Sequence, residues 1–86
     1  MPIRYTQGEI RQLLNKMGFV KARKKGTIYM GIGYDGQKRT VKFDYHKDSD
    51  YLKIGTLKQI SISLGFISLE EMKKFIDNGY KKRFEN

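Results

Sequence analysis

The stretch from Phe19 to Tyr45, FVKARKKGTIYMGIGYDGQKRTVKFDY, constrains the fold more than any other part of the chain. Two glycine-bearing dipeptides divide it. Lys25-Gly26 predicts a tight turn, because glycine takes positive φ without a steric penalty. Asp35-Gly36 is a strong hairpin signal. Around them the residues alternate with the period of two that a strand imposes. Strand one is expected from about Phe19 to Lys24, with Val20 and Ala22 on one face and Lys21 and Arg23 on the other. Strand two is expected from Thr27 to Gly33. Ile28, Met30 and Ile32 share its apolar face, and Thr27, Tyr29 and Gly31 share the opposite one. Strand three is expected from Lys38 to about Tyr45, with Val41, Phe43 and Tyr45 apolar against Lys38, Thr40 and Lys42. One apolar and one polar face is the pattern of an antiparallel sheet covered on a single side.

The flanking segments supply the cover. Thr6-Gln7-Gly8-Glu9 fits a capping box, in which Thr6 and Glu9 each satisfy the other's backbone N–H. Ile10, Leu13, Leu14 and Met17 then recur at helical spacing, and Gly18 is a natural stop. Helix one is expected over Thr6 to Met17. His46 to Lys53 is polar and aperiodic and reads as a loop. Gly55-Thr56 opens helix two, with Thr56 as the expected cap. Leu57, Ile60 and Leu64 form its stripe, Ser61 fills a small position, Ile62 lies off the stripe and Gly65 ends it. Ser68-Leu69-Glu70-Glu71 fits a second capping box, with Phe66 and Ile67 in staple range of Met72. Met72, Phe75 and Ile76 form the stripe of helix three, and Gly79 ends it. The predicted fold class is α+β: a two-layer α-β-β-β-α order with a short third helix over a three-stranded antiparallel sheet. Residues 1–86 form one domain, with a core over about 6–78 and a basic tail over 79–86. This element order is also that of double-stranded-RNA-binding domains, although order alone does not fix function.

Composition narrows the function classes. Eighty-six residues leave no room for a second core. There is no cysteine, which removes disulfides and thiolate metal sites, and one histidine, His46, cannot build a multi-histidine site. No metal and no cofactor are expected. No signal-peptide pattern is evident, and no apolar run approaches a membrane span, so a soluble cytoplasmic protein without a membrane is expected. The net charge of +9 favours polyanions. Nucleic acid is the first candidate, an acidic protein the second, an anionic membrane surface the third. The bland alternative is a charge that only keeps the protein dispersed.

The basic residues cluster. Lys21, Arg23, Lys24 and Lys25 gather at the end of strand one, Lys38, Arg39 and Lys42 add charge from strand three, and Lys53 and Lys58 bracket the start of helix two. Gly55, Thr56 and Leu57 would offer free N–H groups and a positive dipole end to a phosphate. Such a surface suits A-form RNA, which is recognised mainly through its backbone and 2′-hydroxyls. Thr27 and Tyr29 adjoin this set. Tyr5, Tyr29 and Tyr34 can stack on unpaired bases, though tyrosines in small sheets are more often structural.

Several local sequences resemble the HicA, or YcfA-like, toxin family. Leu13-Leu14-Asn15-Lys16-Met17-Gly18-Phe19-Val20 is similar to its helix-one exit. Lys25-Gly26 followed by Asp35-Gly36 resembles its Lys-Gly-x-His…Asp-Gly pattern. Gly55-Thr56-Leu57-Lys58-Gln59-Ile60 is similar to its Gly-Thr-Leu-Arg-x-Ile helix start. Leu64-Gly65-Phe66 and Leu69-Glu70-Glu71-Met72-Lys73-Lys74-Phe75 look like its end. The likeness runs from about Thr6 to Ile76, and shared order and spacing carry it.

The resemblance implies a double-stranded-RNA-binding-like fold, metal-independent cleavage of mRNA as a toxin, and a HicB-like antitoxin as partner. The family's activity depends on a histidine at the start of the second strand. Ile28 stands there, between Thr27 and Tyr29, and isoleucine cannot exchange a proton. The family often carries a second histidine after strand three, which His46 matches if the loop here is slightly longer. Histidine has the right basicity to take a proton from a 2′-hydroxyl; a lone loop histidine is more often without a role. Tyr29 as a stand-in is a poor base, with a free pKa of about 10. Three readings stand open: a HicA-like RNA-cleaving toxin with a relocated catalytic group at His46, a non-catalytic nucleic-acid-binding module, and a basic interaction protein that binds an acidic HicB-like partner.

Overall fold

The computed structural model describes residues 3–23 and 26–80. Helix α1 spans Gln7–Lys16. Strands β1 (Val20–Lys21), β2 (Ile28–Ile32) and β3 (Lys38–Lys42) follow, then helices α2 (Ile54–Ser63) and α3 (Leu69–Asp77). The strands form one antiparallel sheet in the order β1-β2-β3. The class is α+β, as the alternation and helical spacing predict. No helix among the described residues is long and apolar enough to cross a membrane.

Local chemistry sets the helix ends. The α1 capping box is complete: the Glu9 N–H donates to the Thr6 hydroxyl at 3.2 Å, and the Thr6 N–H donates to Glu9 Oε1 at 2.9 Å. At α3 only half of the expected box forms. Ser68 accepts from the Glu71 N–H at 3.2 Å, but the Glu71 carboxylate takes the N–H of Ile67, at 2.8 Å, instead of that of Ser68. Phe66 is buried whereas Ile67 is 82% exposed, so Phe66 alone of the expected staple pair enters the core. Helix α2 begins one residue before Gly55. Its N-cap is Lys53, which makes no side-chain cap, and Thr56 lies inside the first turn. The expected Thr56 cap is therefore wrong, because Ile54 is already helical.

All three helices place residues in one core. Ile10, Leu13 and Leu14 come from α1, Leu57 and Ile60 from α2, and Leu69, Met72 and Phe75 from α3. Ser61 is fully buried, its hydroxyl donating to the Lys58 carbonyl at 2.7 Å, which satisfies the polar group that burial would otherwise strand. Tyr34 stacks on Phe66 at 4.6 Å between ring centroids and meets Phe75 edge-on at 5.4 Å. Tyr34, partly buried, thus packs against the core. Tyr5, 7% exposed, is likewise part of the core, and burial pushes its hydroxyl pKa up to about 12.

The sheet corrects the sequence reading of β2. Tyr29 pairs with Val41 and is 5% exposed, against the helices with Phe43. Gly31 lies on the same side, where a Cβ would sit 2.9 Å from Phe19 Cγ. Ile28, Met30 and Ile32, expected in the core, face the open side, with Met30 51% and Ile32 49% exposed. Val20 pairs with Met30 and is also exposed. The cause is the turn. The Gly36 N–H donates to the Gly33 carbonyl at 2.9 Å, the Gly33 N–H donates to the Gln37 carbonyl at 2.8 Å, and Gly36 has a φ of +82°. Residues 34–36 thus form a three-residue loop ending in a left-handed glycine. A two-residue loop over Asp35-Gly36 would set Met30 opposite Val41. One added residue shifts the register and turns every β2 side chain to the other face. Strand three follows its expected faces, with Val41 and Phe43 buried and Lys38, Thr40 and Lys42 exposed.

Candidate nucleic-acid interface

The predicted basic residues do not share one face. Lys38 and Lys42 stand on the open side of the sheet, paired with Ile32 and Ile28. Lys21 pairs with Tyr29 on the helix side, and its Nζ lies 5.9 Å from the Tyr29 ring centroid. Arg39 pairs with Gly31 on that side too, and its guanidinium binds the Asp35 carboxylate. That bond holds Asp35 below the usual carboxylate range and raises Arg39, so the Arg39 guanidinium is paired within the hairpin. Tyr29 is buried, and burial raises its hydroxyl pKa, so it serves neither as a stacking ring nor as a base. Thr27 is half-buried, its carbonyl accepting from the Phe43 N–H at 2.8 Å. Arg23 is exposed, and its carbonyl accepts from the Gly26 N–H at 3.1 Å. Lys24 and Lys25 lie outside the described residues, as do residues 81–86 of the expected basic tail.

One end of the domain gathers three of the segments singled out by sequence. The Gln7 side chain, 7% exposed, accepts from the N–H of His46 at 2.6 Å and of Lys47 at 3.1 Å. This fixes the β3 exit against the start of α1. The Gln7 and Gly8 N–H groups donate to the Asp50 and Asp48 carbonyls, and the Leu52 N–H donates to the Tyr5 carbonyl at 3.0 Å. The 46–52 loop is thereby stapled to α1 and delivers the chain to α2. Gln7 was not a candidate in the sequence, since a surface glutamine in a first helical turn carries no pattern.

The two helix starts differ chemically. The loop carbonyls fill the first N–H groups of α1. At α2, no hydrogen bond from the Ile54, Gly55 or Thr56 N–H is present among the described residues, and the first turn has no acidic residue. Gly55, Thr56, Lys53 and Lys58 are exposed, and neither lysine is in an ion pair among the described residues. Open N–H groups, a positive dipole end and two free ammoniums can hold a phosphate.

His46, whose backbone N–H is held by Gln7 at the start of α1, has its Nε2 3.1 Å from Asp44 Oδ2, both side chains well exposed. A carboxylate-paired imidazole can take up a proton. It does not occupy the place of Ile28, whose cross-strand partner is Lys42, four residues before His46. Asp44 was missed in the sequence. Asp48 lies nearby but is held by Arg11, at 3.5 Å, and by the Tyr45 hydroxyl, whose pKa that hydrogen bond raises. No group of three or more potential ligands for a metal ion exists among the described residues. No family model matches the chain, and no curated protein or solved structure matches it.

Proposed function

We propose that this protein is a HicA-like RNA-binding module that grips the phosphate backbone at the N-terminal end of α2 and lacks the family's proton-transfer group at Ile28. The observation that carries the reading is the open first turn of α2 beside unpaired Lys53 and Lys58, in a chain of net charge +9. Backbone-directed recognition asks for ammonium groups and N–H donors more than for base-reading side chains. Arg23 and the adjoining Lys24-Lys25 dipeptide belong to the same basic set. Cleavage, where it occurs, falls to His46 with Asp44 as its partner.

The test is fluorescence anisotropy of the purified chain on an RNA hairpin across a salt series, with EDTA present. Binding should weaken with salt, and Lys53→Gln with Lys58→Gln should flatten the salt slope by roughly two charges. Cleavage of the same RNA is followed for wild type, Ile28→His and His46→Ala. The reading expects Ile28→His to cleave faster than wild type, and any wild-type cleavage to be lost in His46→Ala. RNA binding that ignores both lysines overturns it. A HicB-like antitoxin is the protein partner that the family likeness implies, and a cytoplasmic location accords with an mRNA ligand.

A further inference from the structure

We infer that the open face of the sheet is a docking surface for another protein, one that presents an apolar ridge bordered by carboxylates. This goes beyond the RNA reading and uses a different part of the molecule. Ile28, Met30 and Ile32 form a continuous row along β2, and Val20 extends it sideways through its pairing with Met30. Their exposures run from 36% at Ile28 to 66% at Val20. Beside this row on β3, Lys38 and Lys42 stand opposite Ile32 and Ile28, with Thr40 between them. Strand geometry puts the two ammonium-bearing positions about 13 Å apart and one strand spacing, about 5 Å, from the apolar row.

The chemistry of this face selects its occupant. Lys38 and Lys42 can meet phosphates, but RNA would leave the apolar row uncovered, because bases stack on aromatic rings or guanidinium planes and Val20, Ile28, Met30 and Ile32 offer neither. A second copy of the chain is disfavoured by charge. The Phe43 N–H donates to the Thr27 carbonyl and the Gln37 carbonyl accepts from the Gly33 N–H, so by alternation the N–H and C=O groups of Lys38, Thr40 and Lys42 point away from β2. Pairing two such edges about Thr40 would set Lys38 directly opposite Lys42, a like-charge clash. Face-to-face stacking would bring together two chains of net charge +9. An acidic partner meets neither obstacle: its apolar side chains cover the β2 row, and its carboxylates reach Lys38 and Lys42.

The probe is a helical peptide with a leucine stripe bordered on one side by glutamates, titrated into 15N-labelled full chain and followed by amide shifts. Its glutamine counterpart, an RNA duplex and a dilution series of the protein alone complete the experiment. The glutamate peptide should shift Val20, Ile28, Met30, Ile32, Lys38 and Lys42, and the glutamine peptide should bind about tenfold more weakly. Met30→Ser with Ile32→Ser should weaken the glutamate peptide at least about tenfold. Lys38→Glu with Lys42→Glu should reverse the preference toward a lysine-bordered peptide. These side chains are exposed, so the fold survives the changes. Equal binding of the glutamate and glutamine peptides, shifts confined to other regions, or no binding overturns the inference. So do shifts of this face on dilution alone, which mean self-association, or on adding RNA, which mean a nucleic-acid surface. RNA affinity in the same samples reports on Lys53 and Lys58, so each reading can fail alone.

Discussion

Truncating neighbouring residues of β2 gives a direct measure of which face of the sheet is buried. Tyr29 is 5% exposed and packs with Phe43 at 6.0 Å between ring centroids, whereas Met30 is 51% exposed. Removing a large buried aromatic costs about 3–5 kcal/mol, since transfer energy is lost and a cavity is left. Tyr29→Ala belongs near the lower end, about 3 kcal/mol, because the hydroxyl lowers the apolar area removed. Met30→Ala leaves no cavity and forfeits roughly half of a fully buried methionine, about 1 kcal/mol. A domain of this size has a total stability of about 4–13 kcal/mol, so the first change removes a large share and the second a small one. In melting temperature these are shifts of about 12–24 °C and about 4–8 °C. The chain has no tryptophan, so urea unfolding is followed by far-UV circular dichroism. If Met30→Ala costs as much as Tyr29→Ala, the three-residue register of the β2–β3 turn is wrong and the simple alternation is right.

Gly33→Ala should destabilise by about 1–3 kcal/mol, because the new Cβ would lie 2.6 Å from the Leu64 carbonyl oxygen, a backbone atom that cannot yield cheaply; the urea midpoint checks it. Gly55→Ala should instead stabilise by about 1 kcal/mol, since nothing lies within 4 Å of its Cβ position and alanine is the better helix former. Tyr5 is raised by burial to about 12, above the free value near 10, so its contribution is intact below pH 10 and lost as pH rises from about 10 to 12. A Tyr5→Phe variant should lose less stability across that window in alkaline melts. Asp35 is depressed by its hydrogen bond to Arg39, so its contribution is present above the free carboxylate pKa of about 3.9 and disappears as pH falls through the lower folded value. Acid titration of Asp35→Asn should show a shallower fall in that range.

Helices α1 and α3 were legible because cap and stripe agree, whereas α2 was legible from its buried stripe and its Gly65 stop but not from its start. Thr6 and Glu9 cap α1, Leu13 and Leu14 define its buried stripe, and Gly18 follows its end. β3 was legible because Val41 and Phe43 alternate with lysines and leave one choice of face. β2 offered two choices, with Ile28, Met30 and Ile32 against Tyr29, and count favoured the wrong one. The decision rests with a long-range fact, the pairing of Tyr29 with Val41, which depends on whether the turn holds two residues or three. The basic residues were legible as a set but not as a surface. Lys38 and Lys42 face one way and Arg39 the other by alternation along β3, whereas Lys21 takes its side from its pairing with Tyr29. The clamp of Gln7 on His46 joins residues far apart in sequence, and local pattern cannot anticipate it.

The reversed face also changes what its residues mean. Had Ile28, Met30 and Ile32 been in the core, folding would account for them. On the open side it does not, because Tyr29, Val41 and Phe43 already supply the sheet's share of the buried cluster. Intrinsic strand preference explains isoleucine at the two flanks, since β-branched residues suit a pleated surface. It does not explain methionine at the centre of the row, where threonine would serve the strand and water equally well. Methionine does suit a surface that must fit a partner's side chains, because its unbranched thioether adapts to irregular shapes. The lysines beside it protect the free β3 edge from strand-to-strand aggregation. At Lys38 and Lys42 the same charges narrow the permitted partners to acidic ones. A single pair of side chains can therefore exclude self-pairing and select a partner, which is how an exposed apolar row persists beside an unpaired strand edge.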